Sequence, residues 1–185
     1  SNAKSNNVPA GNIERAIKKG IGDLDGIAFD EITYEGYGPN GVAIIIEVIT
    51  DNKNRSVAEL RHIFTKFGGS LGETGSVSWM FEKKGQITLE NKSIVYETLF
   101  DIALIAGAED LEKFENSYII TTPFELLMEV KKTIEDHGYL TKSADYQMIS
   151  KTTQKVAKSE SDSVMKLLDT LDNNDDVNRI FSNLD

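Results

Sequence analysis

The chain has 185 residues, with 20 lysine and arginine side chains against 30 aspartate and glutamate side chains, and a formal charge of −10. It contains no cysteine and two histidines, which excludes disulfides, thiolate nucleophiles, Cys-ligated metals and sites that need three histidines. An apolar fraction of 39% is sufficient for a core, and the length fits one large domain or two small ones. The net negative charge argues against a generally basic nucleic-acid binder.

The excess negative charge is concentrated in the second half of the chain. Residues 1–84 carry 10 basic and 11 acidic side chains, whereas residues 85–185 carry 10 basic and 19 acidic ones. The first half also contains two local clusters of basic residues, so a nucleic-acid surface is predicted there. The clusters are Arg15, Lys18 and Lys19, and Lys53, Arg55, Arg61 and Lys66.

The first residues of the chain are polar. Ser1-Asn2-Ala3 is typical of the scar left by tag removal and is set aside from the prediction of the fold. A short helix is predicted over residues 12–19, with Asn12 as its cap and Gly20 as its end. No signal peptide is visible and no apolar run approaches the ~20 residues of a membrane span, which predicts a cytoplasmic protein.

A first set of elements is predicted in the order β-β-α-β. Residues 32–37 and 42–50 form a hairpin, because the Gly-Pro-Asn-Gly sequence at 38–41 is a strong turn signal. The second of these strands is apolar on both faces, which predicts a central position in a sheet. A helix over 51–67 and a strand over 76–83 complete the set.

A second set of elements follows in the order β-α-β-β-α-β, which is the ferredoxin-like order. Its second helix begins at a proline preceded by a capping threonine. The predicted segments are 86–89, 93–106, 111–114, 118–121, 122–137 and 146–150. A helix over 161–171 and a strand over 177–183 then complete the first set, so that the second set is an insertion.

The predicted fold class is α+β, with two ferredoxin-like α/β domains, one of which is inserted in the other. The discontinuous domain comprises residues 30–84 plus 159–185, and the inserted domain comprises residues 85–158. Residues 4–22, which contain the short helix, precede both domains.

Several motifs together resemble the YebC/PmpR family, which includes mitochondrial translational activators of cytochrome oxidase. The segments at 34–42, 50–55 and 66–77 carry most of the resemblance. Residues 12–20, Arg61-His62, 174–177 and 183–185 fit the same pattern. The resemblance extends over residues 7–185 and is most specific between 12 and 77.

This resemblance implies a fold of three domains: an N-terminal three-helix domain and two α/β domains, one inserted in the other. It also implies a DNA-binding transcriptional regulator or a ribosome-associated translation factor that relieves stalling, without enzymatic activity. The chain departs from the family because the basic N-terminal region is absent, so residues 4–22 are interpreted as its remnant. It departs again at Ser150, where the family tends to have proline.

The segment that starts the predicted helix at 51–67 is the strongest candidate contact with nucleic acid. Capping explains its polar residues, because Thr50, Asp51 or Asn52 can accept hydrogen bonds from first-turn N–H groups. Lys53 and Arg55, however, place positive charge at the positive end of the helix dipole, which costs roughly a few tenths of a kcal/mol. An external phosphate would explain this choice where local stability does not.

Two glycine-rich segments leave alternatives open. The segment at 38–41 favours a hairpin turn over a phosphate cradle because it joins two predicted strands, although Tyr34 or Tyr37 could stack on a base. The loop at 66–75 either approaches another surface closely or is mobile, and a phosphate-binding role there has weak support.

Aromatic and acidic residues elsewhere receive structural interpretations. Trp79 and Phe81 alternate with polar residues, which favours core positions over a stacking platform. His62 has no paired nucleophile, which argues against catalysis. The aspartates near the chain end favour a helix-ending turn over a metal site, because their spacing does not match a calcium loop. These are Asp169, Asp172, Asp175 and Asp176.

The favoured function is a non-enzymatic, nucleic-acid-associated regulator of gene expression, of the DNA-binding transcriptional class. Its partner is DNA or rRNA, and no cofactor, metal, membrane or small-molecule substrate is expected. The residues predicted to contact nucleic acid are Arg15, Lys18, Lys19, Lys53, Asn54, Arg55, Arg61 and Lys66.

Two alternatives stay open at this point. The first is a translation factor that acts on the ribosome through rRNA and ribosomal-protein contacts. The second is a protein-interaction module whose acidic second half binds a basic ribosomal or transcription protein.

Overall fold

The computed structural model describes residues 28–185. These residues form two compact units, the first from 28–82 with Ser150–Asp185 and the second from Lys83–Ile149. Each unit contains one four-stranded sheet, which gives an α+β fold. The predicted helix at 12–19 and the cluster of Arg15, Lys18 and Lys19 lie outside the described residues.

In chain order the elements are β1 (Asp30–Tyr37), β2 (Ala43–Thr50), α1 (Lys53–Lys66), β3 (Ser70–Leu71), β4 (Phe81–Glu90), α2 (Tyr96–Ala106), β5 (Asp110–Lys113), β6 (Ser117–Pro123), α3 (Leu127–Asp136), β7 (Ser143–Ser150), α4 (Lys158–Asp172) and β8 (Val177–Ser182). Single turns of 3₁₀-helix occur at Pro39–Gly41, Ser78–Met80 and Phe124–Leu126.

The sheet of the first unit has the strand order β3-β1-β2-β8. Strand β2 pairs antiparallel with β1 on one side and with β8 on the other. Ile44 and Ile46 face the core, while Ala43 and Ile45, which point to the opposite face, are buried as well. The prediction of a central strand that is apolar on both faces is therefore confirmed.

Helices α1 and α4 complete the core of this unit. They contribute Leu60, Ile63 and Phe64 from α1 and Val164, Leu167, Leu168 and Leu171 from α4. The spacing of three and four residues within each helix places these side chains on one face. The sheet contributes Ile44, Ile46 and Val48 of β2 to the same core, together with Val42, which immediately precedes the strand.

The Gly-Pro-Asn-Gly segment forms the turn between β1 and β2, as predicted. Asn40 and Gly41 both have positive φ, 62° and 75°, a conformation that asparagine and glycine tolerate. The Gly38 N–H donates to the Val42 carbonyl at 2.8 Å and closes the loop. The segment thus links strand to strand and leads into no helix N-terminus of the kind that binds phosphate.

The second unit has the predicted β-α-β-β-α-β order, with strands arranged β5-β6-β4-β7. Strand β6 pairs antiparallel with both β4 and β5. Helices α2 and α3 pack on one face of the sheet. The core consists mainly of Ile87, Leu89, Leu99, Ala103, Leu111, Tyr118, Ile120, Leu127, Val130 and Ile134.

The prediction of a strand over residues 76–83 is wrong for the first half of that segment. A 3₁₀ turn occupies Ser78–Met80 and β4 begins only at Phe81. The N–H groups of Val77 and Ser78 both donate to one oxygen, Oε1 of Glu35, at 2.9 and 2.6 Å. An extended strand cannot do this because its successive N–H groups point in opposite directions. Phe81 is buried as predicted, but Trp79 is 64% exposed.

No helix within residues 28–185 is both long enough and apolar enough to cross a bilayer.

The packing of α1 on the sheet gives the first testable prediction. Phe64→Ala should lower the free energy of unfolding by about 3–5 kcal/mol, because the ring is fully buried between α1 and the sheet. Urea unfolding measures the change. His62→Ala, an exposed position on the same helix, should alter it by less than about 0.5 kcal/mol. Equal effects of the two substitutions would contradict the assigned core face.

Candidate nucleic-acid interface

The N-terminus of α1 is capped by its own sequence. Asn52 has the extended backbone of a cap residue, with φ −147°, and its Oδ1 accepts a hydrogen bond from the Arg55 N–H at 3.0 Å. Thr50 Oγ1 accepts from the Asn52 N–H at 3.0 Å. The capping interpretation of this segment is therefore confirmed.

Arg55 has anionic partners within the protein. Its Nη2 lies 2.8 Å from Asp51 Oδ1 and 3.0 Å from Asp176 Oδ2. Hydrogen bonding to Asp176, and then to Asp51, raises the pKa of the Arg55 guanidinium. The expectation that local stability does not explain Arg55 is therefore wrong, because Asp51 and Asp176 offset its charge at the helix N-terminus.

Asp176 lies just before β8 and is buried. Besides Arg55, it accepts a hydrogen bond from Ser56 Oγ at 2.7 Å, and Ser56 Oγ in turn lies 2.8 Å from Thr50 Oγ1. The Asp176 N–H donates to Asn174 Oδ1 at 2.9 Å. Asp176 therefore joins α1 to the start of β8, in agreement with the interpretation of this segment as a turn. Among the residues that the structure describes, no three His, Asp or Glu side chains form a group that could hold a metal ion.

The other polar residues predicted on α1 remain at the surface. Lys53, Asn54, Arg61 and Lys66 are all exposed. Within residues 28–185 neither Lys53 nor Arg61 forms an ion pair, and Lys66 Nζ lies 5.4 Å from the centre of the Phe67 ring. The solvent side of α1 therefore presents positive charge that the described part of the fold does not neutralise.

Glu35 on β1 organises the glycine-rich loop that follows α1. The carboxylate is 3% exposed. It accepts hydrogen bonds from the backbone N–H groups of Gly75, Val77 and Ser78 at 2.7, 2.9 and 2.6 Å. Burial raises the pKa of Glu35, but these hydrogen bonds lower it by more, so the pKa lies below its ordinary value.

The same contacts explain the loop and weigh against a phosphate cradle. Three N–H groups that could face a phosphate already donate to Glu35. Gly75 has a φ of +91°, which allows its N–H to point at the carboxylate. At Gly69 a Cβ atom would lie 2.3 Å from the Tyr37 carbonyl oxygen. The sequence left open whether this loop approaches another surface closely or is mobile. The structure shows a close approach of its backbone to β1 at Tyr37.

The two tyrosines that could stack on a base both make contacts within the fold. Tyr34 packs against the core, where burial raises the pKa of its phenol. The Tyr37 hydroxyl donates to the Ser76 carbonyl at 3.2 Å. Trp79 Nε1 donates to the same carbonyl at 3.0 Å, which fixes the exposed indole relative to the loop. The sequence pattern missed Trp79 as a surface aromatic.

Comparison with known proteins places these features in a family. A family model described as TACO1/YebC second and third domain matches residues 29–184. A probable transcriptional regulatory protein of Geotalea uraniireducens is 46% identical over 183 residues, covering 99% of this chain and 74% of the relative. A protein of the same description from Dictyoglomus thermophilum is 48% identical over 184 residues, with coverage of 99% and 74%.

A solved structure supports the same assignment. The crystal structure of a conserved hypothetical protein from Aquifex aeolicus matches with a TM-score of 0.80 and 43% identity, covering 96% of this chain and 73% of that one. The fold and the relatives are those of a class of proteins named as transcriptional regulators. The chain belongs to the TACO1/YebC family, as its motifs predicted.

The Glu35 contacts predict a specific dependence of stability on pH. Because the pKa of Glu35 is lower in the folded protein than in the unfolded chain, its stabilising effect is complete above the unfolded pKa, about 4.3, and is lost as the pH falls through the folded value. Glu35→Gln should lower the free energy of unfolding at pH 7 by about 1–3 kcal/mol. It should also flatten the fall in stability at acid pH, measured by urea unfolding at a series of pH values.

The control is Glu73→Gln, which removes an exposed carboxylate from the same loop. It should change the free energy of unfolding at pH 7 by less than about 0.5 kcal/mol. If Glu35→Gln behaves like this control, Glu35 does not stabilise the loop.

Proposed function

We propose that this protein is a non-enzymatic regulator of gene expression that binds nucleic acid through the exposed side of α1. The observation that carries the proposal is the charge of this helix. It contains four basic residues and one acidic residue, in a chain whose net charge is −10. The regulator names of the relatives support the same function.

The proposed contacts are to the phosphate backbone. Lys53, Arg61 and Lys66 supply positive charge, and Asn54 supplies a hydrogen-bonding group beside them. Arg55 has a different role, because its bonds to Asp51 and Asp176 fix the start of the helix. Arg15, Lys18 and Lys19, which lie outside the described residues, are further proposed contacts.

Trp79, an exposed aromatic side chain in the same unit as α1, is a further proposed contact. Its indole N–H is already bonded to Ser76, so what the side chain presents to a partner is its flat apolar face. Stacking of a base on such a face is tolerant of sequence and contributes about 1–3 kcal/mol per base. Because the bases of a duplex stack on one another, this contact needs a single-stranded or looped segment, as in ribosomal RNA. There, a base stacked on Trp79 would add affinity to phosphate contacts that carry no sequence information.

A non-enzymatic function is supported by the two buried carboxylates of the first unit. Glu35 and Asp176 accept hydrogen bonds from groups of the protein itself. Catalytic carboxylates instead face a reacting group in a site where substrate enters. Both side chains are therefore assigned to the fold.

The physiological nucleic acid is proposed to be duplex DNA, and ribosomal RNA is the second candidate. The observation that favours the ribosome is the acidity of residues 85–185, which suits basic ribosomal proteins. Co-sedimentation with intact ribosomes, beside binding to naked duplex DNA, separates the two. Association with ribosomes alone would exclude direct binding to promoters, and binding to a specific duplex alone would exclude the role in translation.

The test of the interface removes charge from α1. In the triple variant Lys53→Ala/Arg61→Ala/Lys66→Ala, binding to labelled duplex DNA or single-stranded RNA should weaken. The slope of log affinity against log salt should fall by about 2 to 3, because each phosphate contact contributes about 0.7–0.9. Fluorescence anisotropy at several salt concentrations measures both quantities.

The matched control is Lys131→Ala/Lys132→Ala/Lys142→Ala, which removes the same charge from the second unit. It should leave the salt slope unchanged. An equal loss of slope in the two triple variants would show that only net charge matters, and would contradict an interface on α1.

A further inference from the structure

A shallow apolar groove lies in the second unit between helix α2 and strand β5. Its apolar wall consists of Phe100, Ala103 and Leu104 from α2. Leu111 of β5 and Ala108, which lies just before that strand, complete the wall. Strand β5 is at the edge of its sheet and pairs with another strand on one side only. The groove therefore opens at the side of the unit, away from the central strands β6 and β4.

Helix α2 exposes several large apolar side chains to solvent. Phe100 is 37% exposed and Leu104, one turn later, is 54% exposed. The rings of Tyr96 and Phe100 stack with their centres 5.9 Å apart, so the three side chains form a row at intervals of four residues. Exposed apolar side chains that lie together in this way often mark a surface that another molecule covers.

The charges around the groove are mostly negative. Between residues 96 and 113 the chain has five acidic residues and one basic residue. Glu97 and Asp101 lie on α2, and Glu109 and Asp110 border the groove directly. Because Lys84 Nζ pairs with Glu109 Oε2 at 2.7 Å, the negative charge of the rim comes mainly from the other three. Such a rim repels the phosphates of nucleic acid, and it would face an identical acidic rim on a second copy of the chain.

We propose that the groove between α2 and β5 is a docking surface for a positively charged protein segment that carries a bulky apolar side chain. The apolar side chain packs against Phe100 and Leu104, and lysine or arginine side chains on either side meet the acidic rim. A buried apolar anchor surrounded by charged pairs is the usual arrangement of affinity and specificity in protein interfaces. This docking surface is independent of the nucleic-acid contacts proposed for α1, because it belongs to the other unit.

The test uses the complete chain and a short synthetic peptide of alternating lysine and leucine. Titration calorimetry should detect binding that weakens as salt is added. In ¹H–¹⁵N NMR spectra, the largest shifts should fall on α2 and β5. Leu104→Ser should weaken the peptide at least about tenfold, because it removes an apolar contact from the centre of the groove. Two reference peptides, with serine for leucine or glutamate for lysine, should not bind.

Leu140→Ser is the matched control, since Leu140 is 87% exposed in the same unit and lies outside the groove. It should bind the peptide like the parent protein. The proposal is overturned if the parent protein fails to bind the peptide at millimolar concentration, or if the two serine variants bind it equally. It is also overturned if sedimentation shows a dimer that Leu104→Ser abolishes, or if single-stranded RNA shifts the same resonances, because the occupant would then be a second copy or a nucleic acid.

Discussion

The first unit depends on strand β8, which follows the whole second unit in the chain, and on the buried carboxylate of Asp176 just before that strand. Asp176 meets Arg55 from 121 positions away, and its own carbonyl accepts the N–H of Ile49 on β2 at 2.9 Å. The two parts of the unit are thus joined by charge as well as by the β2–β8 ladder. Asp176 is the buried partner of this pair, whereas Arg55 is partly exposed. Removing Arg55 would take a charged partner from a buried carboxylate, which is costly. This requirement accounts for the polar segment around Thr50–Arg55 more directly than an external ligand does.

Glu35 is a second buried carboxylate that joins distant parts of the first unit. The loop after α1 must turn back along β1, and it does so around one carboxylate that accepts three backbone N–H groups. Backbone groups in a buried or half-buried loop need such partners, because an unpaired N–H is costly away from water. The consequence for function is that the glycine-rich loop is assigned to the fold, and that the proposed interface is reduced to the outer side of α1 and the exposed indole of Trp79.

Much of the fold could be predicted from local patterns, whereas the contacts of the site could not. The hairpin at Asn40-Gly41, the doubly buried β2 and the β-α-β-β-α-β order follow from turn chemistry and apolar periodicity, both of which act over a few residues. The role of Arg55 depends on Asp176, and the position of Trp79 depends on Glu35, and both are contacts between distant parts of the chain. Val77 and Phe81 are both buried, as the alternation of apolar and polar residues predicts for a strand. The backbone between them is not extended, because Glu35 on β1 accepts the N–H groups of Val77 and Ser78. Local propensity does not encode such a contact with a distant residue.

Nucleic acid is proposed to contact the outer side of α1 while the amides of the glycine-rich loop remain bonded to Glu35. The most direct measurement is a ¹H–¹⁵N NMR titration of the protein with single-stranded RNA and with duplex DNA. We expect shifts at Asn54, Arg61 and Lys66 with both nucleic acids and at the indole N–H of Trp79 with single-stranded RNA. The amides of Val77 and Ser78 should remain nearly unchanged. Shifts centred on those loop amides, with α1 unaffected, would contradict the proposal, because they would show that the loop itself receives the phosphate.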